Sequence, residues 1–260
     1  MTDDADGQVT LSIDKHVAEI TLDRPKKHNA ITPPMAQQLV EICRAIEHDD
    51  AVRVVLLKGA GDRAFCAGSD LNSLAQYKTP WEFRGRVEYG MLVHNIGKPV
   101  IAALKGWVLG GGLELALRCD IRIAGRSAKF GAPEVKRGWV GGSGASQMLP
   151  RLVGYGQAMR LLLTGDTIDA DTALRIGLIE ELVDDSALDG QARTLAEQIA
   201  GYSPVATQSV KAAVRMALSS SLEAGLRYEN EMNVLCFAGS DHREGIAAFY
   251  EKRDAKFTSG

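Results

Sequence analysis

Cysteine is scarce and scattered in this 260-residue chain: the four are Cys43, Cys66, Cys119 and Cys236, with no C-x-x-C pair and no Cys/His cluster. That arrangement excludes a zinc ribbon and a disulfide framework and suits inert thiols in a reducing compartment. Basic excess is also missing. With 30 Lys and Arg against 33 Asp and Glu the net charge is −3, which argues against nucleic acid or an anionic membrane as the main partner. No apolar run approaches the ~20 residues that cross a bilayer. The opening "MTDDADGQ" is acidic, unlike a secretory signal or an Arg-rich transit peptide. There is no low-complexity segment, no internal repeat and no metal-binding motif. A cytoplasmic protein is the expectation.

The composition present is that of a globular domain, with 45% hydrophobic and 24% charged residues. "VTLSID" and "HVAEITLD" predict two strands joined by a tight turn. Thr32, Pro33 and Pro34 open a helix with Met35, Leu39, Ile42 and Ile46 on one face. "VRVVLLKG", "PVIAAL" and "DIRIAG" read as buried strands, "AGDRAFCAGSD" as a loop, and residues 80–95 as one polar, moderately amphipathic helix. Strands alternating with helices define an α/β class. Helical patterns dominate from about Ser143, from "ASQMLPRLVG" to "GIAAFYEKRDAKF", interrupted by the strand "LIEELV". The expected division is a strand-rich core over 1–195 and a helical, oligomer-forming region over 196–260.

Three stretches carry chemistry. "WVLGGGLELAL" runs three glycines into an apolar helix that contains Glu114. Helix N-terminal N–H groups lack intrahelical acceptors and favour negative charge, and glycine lets a ligand approach them. Close helix–sheet packing, with Glu114 on a solvated face, explains the same residues taken alone. "FCAGSDL" is a second glycine loop after a strand. "FGAPEV" places Glu134 behind a proline in apolar company. Singly, these two read as a strand-to-helix turn and a solvated loop acid.

In combination the chain resembles the enoyl-CoA hydratase/isomerase family, the crotonase superfamily. The likeness runs from "LDRPKKHNAI" through "KGAGDRAFCAGSDL", "KPVIAALKGWVLGGGLELALRCDIRIAG" and "AKFGAPEV" to "EGIAAFYEKR". It implies a spiral of ββα units with a helical C-terminal region, assembly as a homotrimer or hexamer, and an acyl-CoA thioester substrate in fatty acid metabolism. It further implies an oxyanion hole from the N–H groups of Ser69 and Gly111. Glu114 and Glu134 match the two acids of true hydratases, whereas members with other reactions commonly keep one or neither. Glu114 would hold and activate water, and Glu134 would move the proton at Cα. The coenzyme A and acyl parts would lie along Lys26, Lys27, His28, Ala67, Asp70, Leu71, Asn72, Gly110 and Trp139. Lys252 and Lys256 of the last helix would reach a phosphate, in this or a neighbouring subunit. No cofactor is implied beyond the coenzyme A of the substrate.

The likeness has two local departures. Asn72 stands where many hydratases have a basic residue. After Glu134 the family pattern "GxxPGAGG" becomes "GWVGGSGAS", so that bulky Trp139 enters and Gly141 replaces proline. Other readings compete. A dehydratase or double-bond isomerase would use the same family site. A serine hydrolase would need "GGSGA" as its elbow with His242 downstream, but "EVKRGWV" is a poor strand to precede it. A non-catalytic thioester-binding protein would be expected to have lost one of the acids. "GYGQAM" lacks the last glycine of a dinucleotide loop, and Gly97–Lys98 runs into Pro99 rather than forming a P-loop.

Overall fold

The computed structural model describes residues 7–258; the acidic opening at 1–6 lies outside them. β1 (Gln8–Asp14) and β2 (Val17–Asp23) pair antiparallel around Lys15 and His16, whose φ angles of 47° and 65° make a tight two-residue turn. α1 (Pro33–Glu47) starts where the Thr32 side chain accepts from the Met35 N–H at 3.4 Å, and it buries Met35, Leu39, Cys43 and Ile46.

Three ββ units follow. β3 (Val54–Gly59) leads to β4 (Ala64–Cys66) and then to the short helices α2 (Leu71–Leu74), α3 (Pro80–Arg84) and α4 (Tyr89–Asn95). β5 (Val100–Leu104) leads to β6 (Trp107–Leu109) and α5 (Gly111–Leu117). β7 (Ile121–Gly125) leads to β8 (Lys129–Gly131) and a 3-10 turn over Pro133–Arg137. The first strands of the units join β1, β2 and the later β10 (Glu181–Val183) in a six-stranded sheet ordered β1-β2-β3-β5-β7-β10, parallel from β2 onward. The largely apolar runs of β3 and β5 reflect burial on both faces, and the one charge inside β7, Arg122, is buried with its guanidinium donating to the Leu178 and Cys119 carbonyls and to Glu180. The second strands form a smaller sheet, β4-β6-β8-β9, closed by β9 (Thr167–Asp169) running antiparallel to β8.

α6 (Ala145–Val153), α7 (Tyr155–Thr164) and α8 (Ala170–Arg175) pack around the smaller sheet. α9 (Leu188–Ala200) lays Leu188, Ala192, Ala196 and Ala200 on the outer face of the larger one. That four-residue spacing of small side chains brings the helix close to the sheet. The division expected at 195/196 falls inside this helix. α10 (Pro204–Ala217), α11 (Leu222–Ala238) and α12 (Asp241–Glu251) complete the helical region. None of the 17 residues of α11 is buried, and Leu222, Leu226, Phe237, Phe249 and Tyr250 leave α11 and α12 with apolar side chains in solvent. No described helix is long and apolar enough to cross a membrane.

Three sequence expectations are corrected, and one helix that the sequence left undelimited is added to the helical region. The loop "AGDRAFCAGSD" contains β4, a strand too short to show a period. Residues 80–95 form two helices, α3 and α4, because the chain is non-helical over 85–88. Residues 222–238 are helical without a one-sided apolar stripe, and so escaped periodicity. Lys252 caps α12 in a left-handed conformation at φ 55°, and Lys256 lies beyond the helix rather than on it.

Candidate active site

The second strands of the three units run parallel, so their carboxyl ends emerge on the same edge of the smaller sheet. β4 ends into Ala67–Gly68–Ser69–Asp70, β6 into Gly110–Gly111, and β8 into Pro133–Glu134. Segments separated by more than 60 residues therefore meet at one place. Carboxyl ends of parallel strands are where open α/β folds gather ligands. The meeting point opens into a cavity of about 680 Å³ that Lys27, Ser69, Gly111, Glu114, Glu134 and Trp139 line together.

Close backbone approach explains the glycines. Gly68 has φ 94°, and a Cβ there would lie 2.9 Å from the Gly111 nitrogen. Gly110 has φ 54°, its N–H donates to the Gly131 carbonyl at 2.9 Å, and a Cβ on it would press Glu134 Oε1 at 3.0 Å. The Ile31 N–H donates to the Gly68 carbonyl and the Asp70 N–H to the Ile31 carbonyl, which turns the intervening Ser69 N–H the other way. Gly111 is the first residue of α5. Among the described residues neither the Ser69 nor the Gly111 N–H has an acceptor. Two bare donors thus stand side by side.

The two acids are buried, Glu114 at 4% and Glu134 at 9% exposure, which overturns the solvated-face and solvent-loop readings. Their environments differ. Glu114 Oε1 accepts from the Ser143 N–H at 2.8 Å and the Ala145 N–H at 3.1 Å. Glu134 Oε2 is buried with no hydrogen-bond partner among the described residues. Burial pushes both carboxyls above their ordinary range. At Glu114 the loop N–H donors restrain that rise while the Glu88 charge adds to it; at Glu134 a single N–H, its own, and Arg137 restrain it while the neighbouring Glu114 charge adds to it. Glu114 is consequently the better placed to remain ionised and Glu134 to hold a proton. A side chain on Gly141 would meet Glu114 Oε1 at 2.6 Å, a physical reason for glycine at this departure from the family pattern.

Around them, Trp139 is 44% exposed and lines the cavity, as do Phe83, Leu74 and Val140. Ala67, Leu71 and Asn72 also line the cavity. So does Asp70, whose carboxylate is bound at 2.7 Å by the nearly buried Arg24; despite burial, that pair keeps Asp70 below its ordinary pKa. Lys26, His28, Lys252 and Lys256 do not line it.

Sequence reasoning missed Tyr89, Arg86 and Glu88, which reach the cavity from α4 and the 85–88 break and belong to no recognisable motif. Ser143 was read only as a possible nucleophile. Its hydroxyl donates to Glu88, no strand precedes it, and His242 Nδ1 contacts the Gly239 carbonyl at 3.0 Å instead. The hydrolase elbow is not formed. The Cys66 thiol, beneath the loop, is pushed by burial to about 12 and is no nucleophile.

The architecture is an α/β spiral of ββα units with a helical tail, and an enoyl-CoA hydratase of Bacillus anthracis shares it. Its crystal structure superposes with a TM-score of 0.92 at 35% identity, over 96% of this chain and 98% of that one. The family model described as enoyl-CoA hydratase/isomerase matches residues 12–260, and the chain belongs to that family. Among relatives, the (E)-benzylidenesuccinyl-CoA hydratase of Thauera aromatica is 39% identical, with 96% of this chain and 98% of the relative aligned. A short-chain-enoyl-CoA hydratase of Clostridium acetobutylicum is 38% identical, over 94% and 95% respectively.

Proposed function

We propose that this protein is an enoyl-CoA hydratase of the two-glutamate type, adding water reversibly to the double bond of a 2-enoyl-CoA thioester. The observation that carries the reading is the pair of unequal buried carboxylates beside two unpartnered N–H groups in one cavity. The thioester oxygen accepts from the Ser69 and Gly111 N–H groups. Glu114, ionised, takes a proton from water as its oxygen bonds to Cβ. The π electrons move toward the thioester oxygen, where the two donors hold the enolate charge. The carbonyl then re-forms as Cα takes the proton of Glu134. A donor of this kind contributes about 3–4 kcal/mol to the transition state. The acids finish with exchanged protonation states and reset through the next water. This chemistry requires no metal or redox group.

Ala67, Asp70, Leu71, Asn72 and Gly110 hold the thioester and pantetheine, with Lys27 toward the phosphates; Lys26, His28, Lys252 and Lys256 contact the outer part of coenzyme A. Trp139 bounds the acyl end. The exposed apolar side chains of α11 and α12 support a homotrimer or a pair of trimers. A dehydratase differs only in physiological direction.

A panel of 2-enoyl-CoA thioesters, followed by loss of the conjugated absorbance, tests the activity. Glu114→Gln and Glu134→Gln should fold and each lose about 10²–10⁴-fold in turnover. Near wild-type rates in either variant would remove the two-carboxylate mechanism.

A further inference from the structure

Tyr89 is the first residue of α4, 7% exposed, and faces the active-site cavity. Its hydroxyl lies 3.0 Å from Ser69 Oγ. It also lies against the bare face of Gly111: a Cβ there would be 1.9 Å from the phenol oxygen. One phenol therefore touches both residues whose N–H groups form the donor pair. Those residues come from different strand ends, β4 and β6, and the Gly111 nitrogen already sits hard against Gly68. A tyrosine wedge that contacts one wall by packing and the other by a hydrogen bond fixes the distance between them. Burial raises the phenol pKa, with Glu114 and Glu88 adding to the rise, so Tyr89 stays neutral and keeps its proton.

We infer that Tyr89, acting through the Ser69 hydroxyl, is a positioning residue that sets the spacing and direction of the Ser69 and Gly111 N–H donors. The inference rests on the hydratase reading above. It assigns the serine of "AGSD" a task for its side chain, whereas the oxyanion hole itself needs only backbone there. It also makes the glycine at 111 a steric requirement of Tyr89 as much as of the substrate.

The test compares Tyr89→Phe, Ser69→Ala and the double variant in the full-length protein. The readouts are steady-state kinetics and the spectrum of bound 4-(dimethylamino)cinnamoyl-CoA, a chromophore that absorbs at longer wavelength as its carbonyl is polarised. Each single variant should lower kcat about 3- to 10-fold, the range of one neutral hydrogen bond, with KM within twofold. Each should also shorten the wavelength shift of the bound probe. The double variant should be no worse than either single one, because the two groups act as one unit. Wild-type kcat and shift in either single variant would overturn the inference, as would losses that multiply. Loss in Tyr89→Phe alone would mean direct contact with substrate rather than action through Ser69. A lowered melting temperature with an unaltered spectrum would make Tyr89 merely structural. A wild-type protein that binds the probe, as judged by competition with substrate, yet gives no shift would fail the oxyanion-hole reading itself, and this inference with it.

Discussion

Gly141→Ala adds one methyl group to a residue that performs no chemistry, and it should nonetheless disable the enzyme. The new Cβ would lie 2.6 Å from Glu114 Oε1 and 3.2 Å from its carboxyl carbon. Ordinary contact requires the carboxylate to retreat by about 0.8 Å. Oε1 is the acceptor of both the Ser143 and the Ala145 N–H, at 2.8 and 3.1 Å, and cannot move that far and keep both. A hydrogen bond to a charged group contributes about 1.5–3 kcal/mol, so losing one costs about 10- to 150-fold in kcat/KM. The melting temperature should fall, but by less than the lost hydrogen bond alone implies, because replacing glycine reduces the freedom of the unfolded chain by about 0.4–1 kcal/mol and offsets part of the crowding. The assay pairs kcat/KM on a short 2-enoyl-CoA with a thermal melt. Rates within twofold of wild type would refute the claim that the two N–H groups hold Glu114 where turnover needs it.

The pH dependence of stability follows from the raised carboxyls. The folded protein holds a proton on Glu134 more tightly than the unfolded chain does, so wild-type stability falls as pH rises from the ordinary carboxylate range through the raised value. Glu134→Gln should therefore melt higher than wild type at about pH 8 and equally near pH 4; an equal difference at both values would contradict the burial argument. The kcat/KM profile should be bell-shaped, with the acid limb above the ordinary carboxylate range because Glu114 too is raised, and its two midpoints belong to the pair. Trp139→Ala should raise kcat/KM selectively for long acyl chains, since a filled pocket resists added methylenes by about 1–3 kcal/mol; uniform loss with a lowered melting temperature would make Trp139 structural. Light scattering at micromolar concentration should give a trimer or hexamer, and a monomer would leave the exposed apolar residues of α11 and α12 unexplained.

Much of the fold was legible locally. Thr32 followed by two prolines marks a helix start whatever surrounds it, and the runs of β3 and β5 are apolar enough to demand burial on both faces. The three-residue strands β4, β6, β8 and β9 were not legible, because so few residues carry no period and their pairing partners lie far along the chain. α11 was missed for the converse reason. Its apolar residues do not gather on one side, and none is buried within the chain.

The site divides along the same line. Residue types and order along the chain determined that two glycine loops, two glutamates and the motifs between them belong to the enoyl-CoA hydratase/isomerase family. What they could not determine is how two carboxyls of the same type come to differ. That was decided by tertiary contacts: the N–H groups of Ser143 and Ala145 turn toward Glu114, while Glu134 Oε2 is left bare. Tyr89 and Glu88 entered the cavity the same way, from a broken helix that no spacing announced. A pKa or a donor direction depends on distances of a few ångströms between groups far apart in sequence, and only the packing of the two sheets sets those distances.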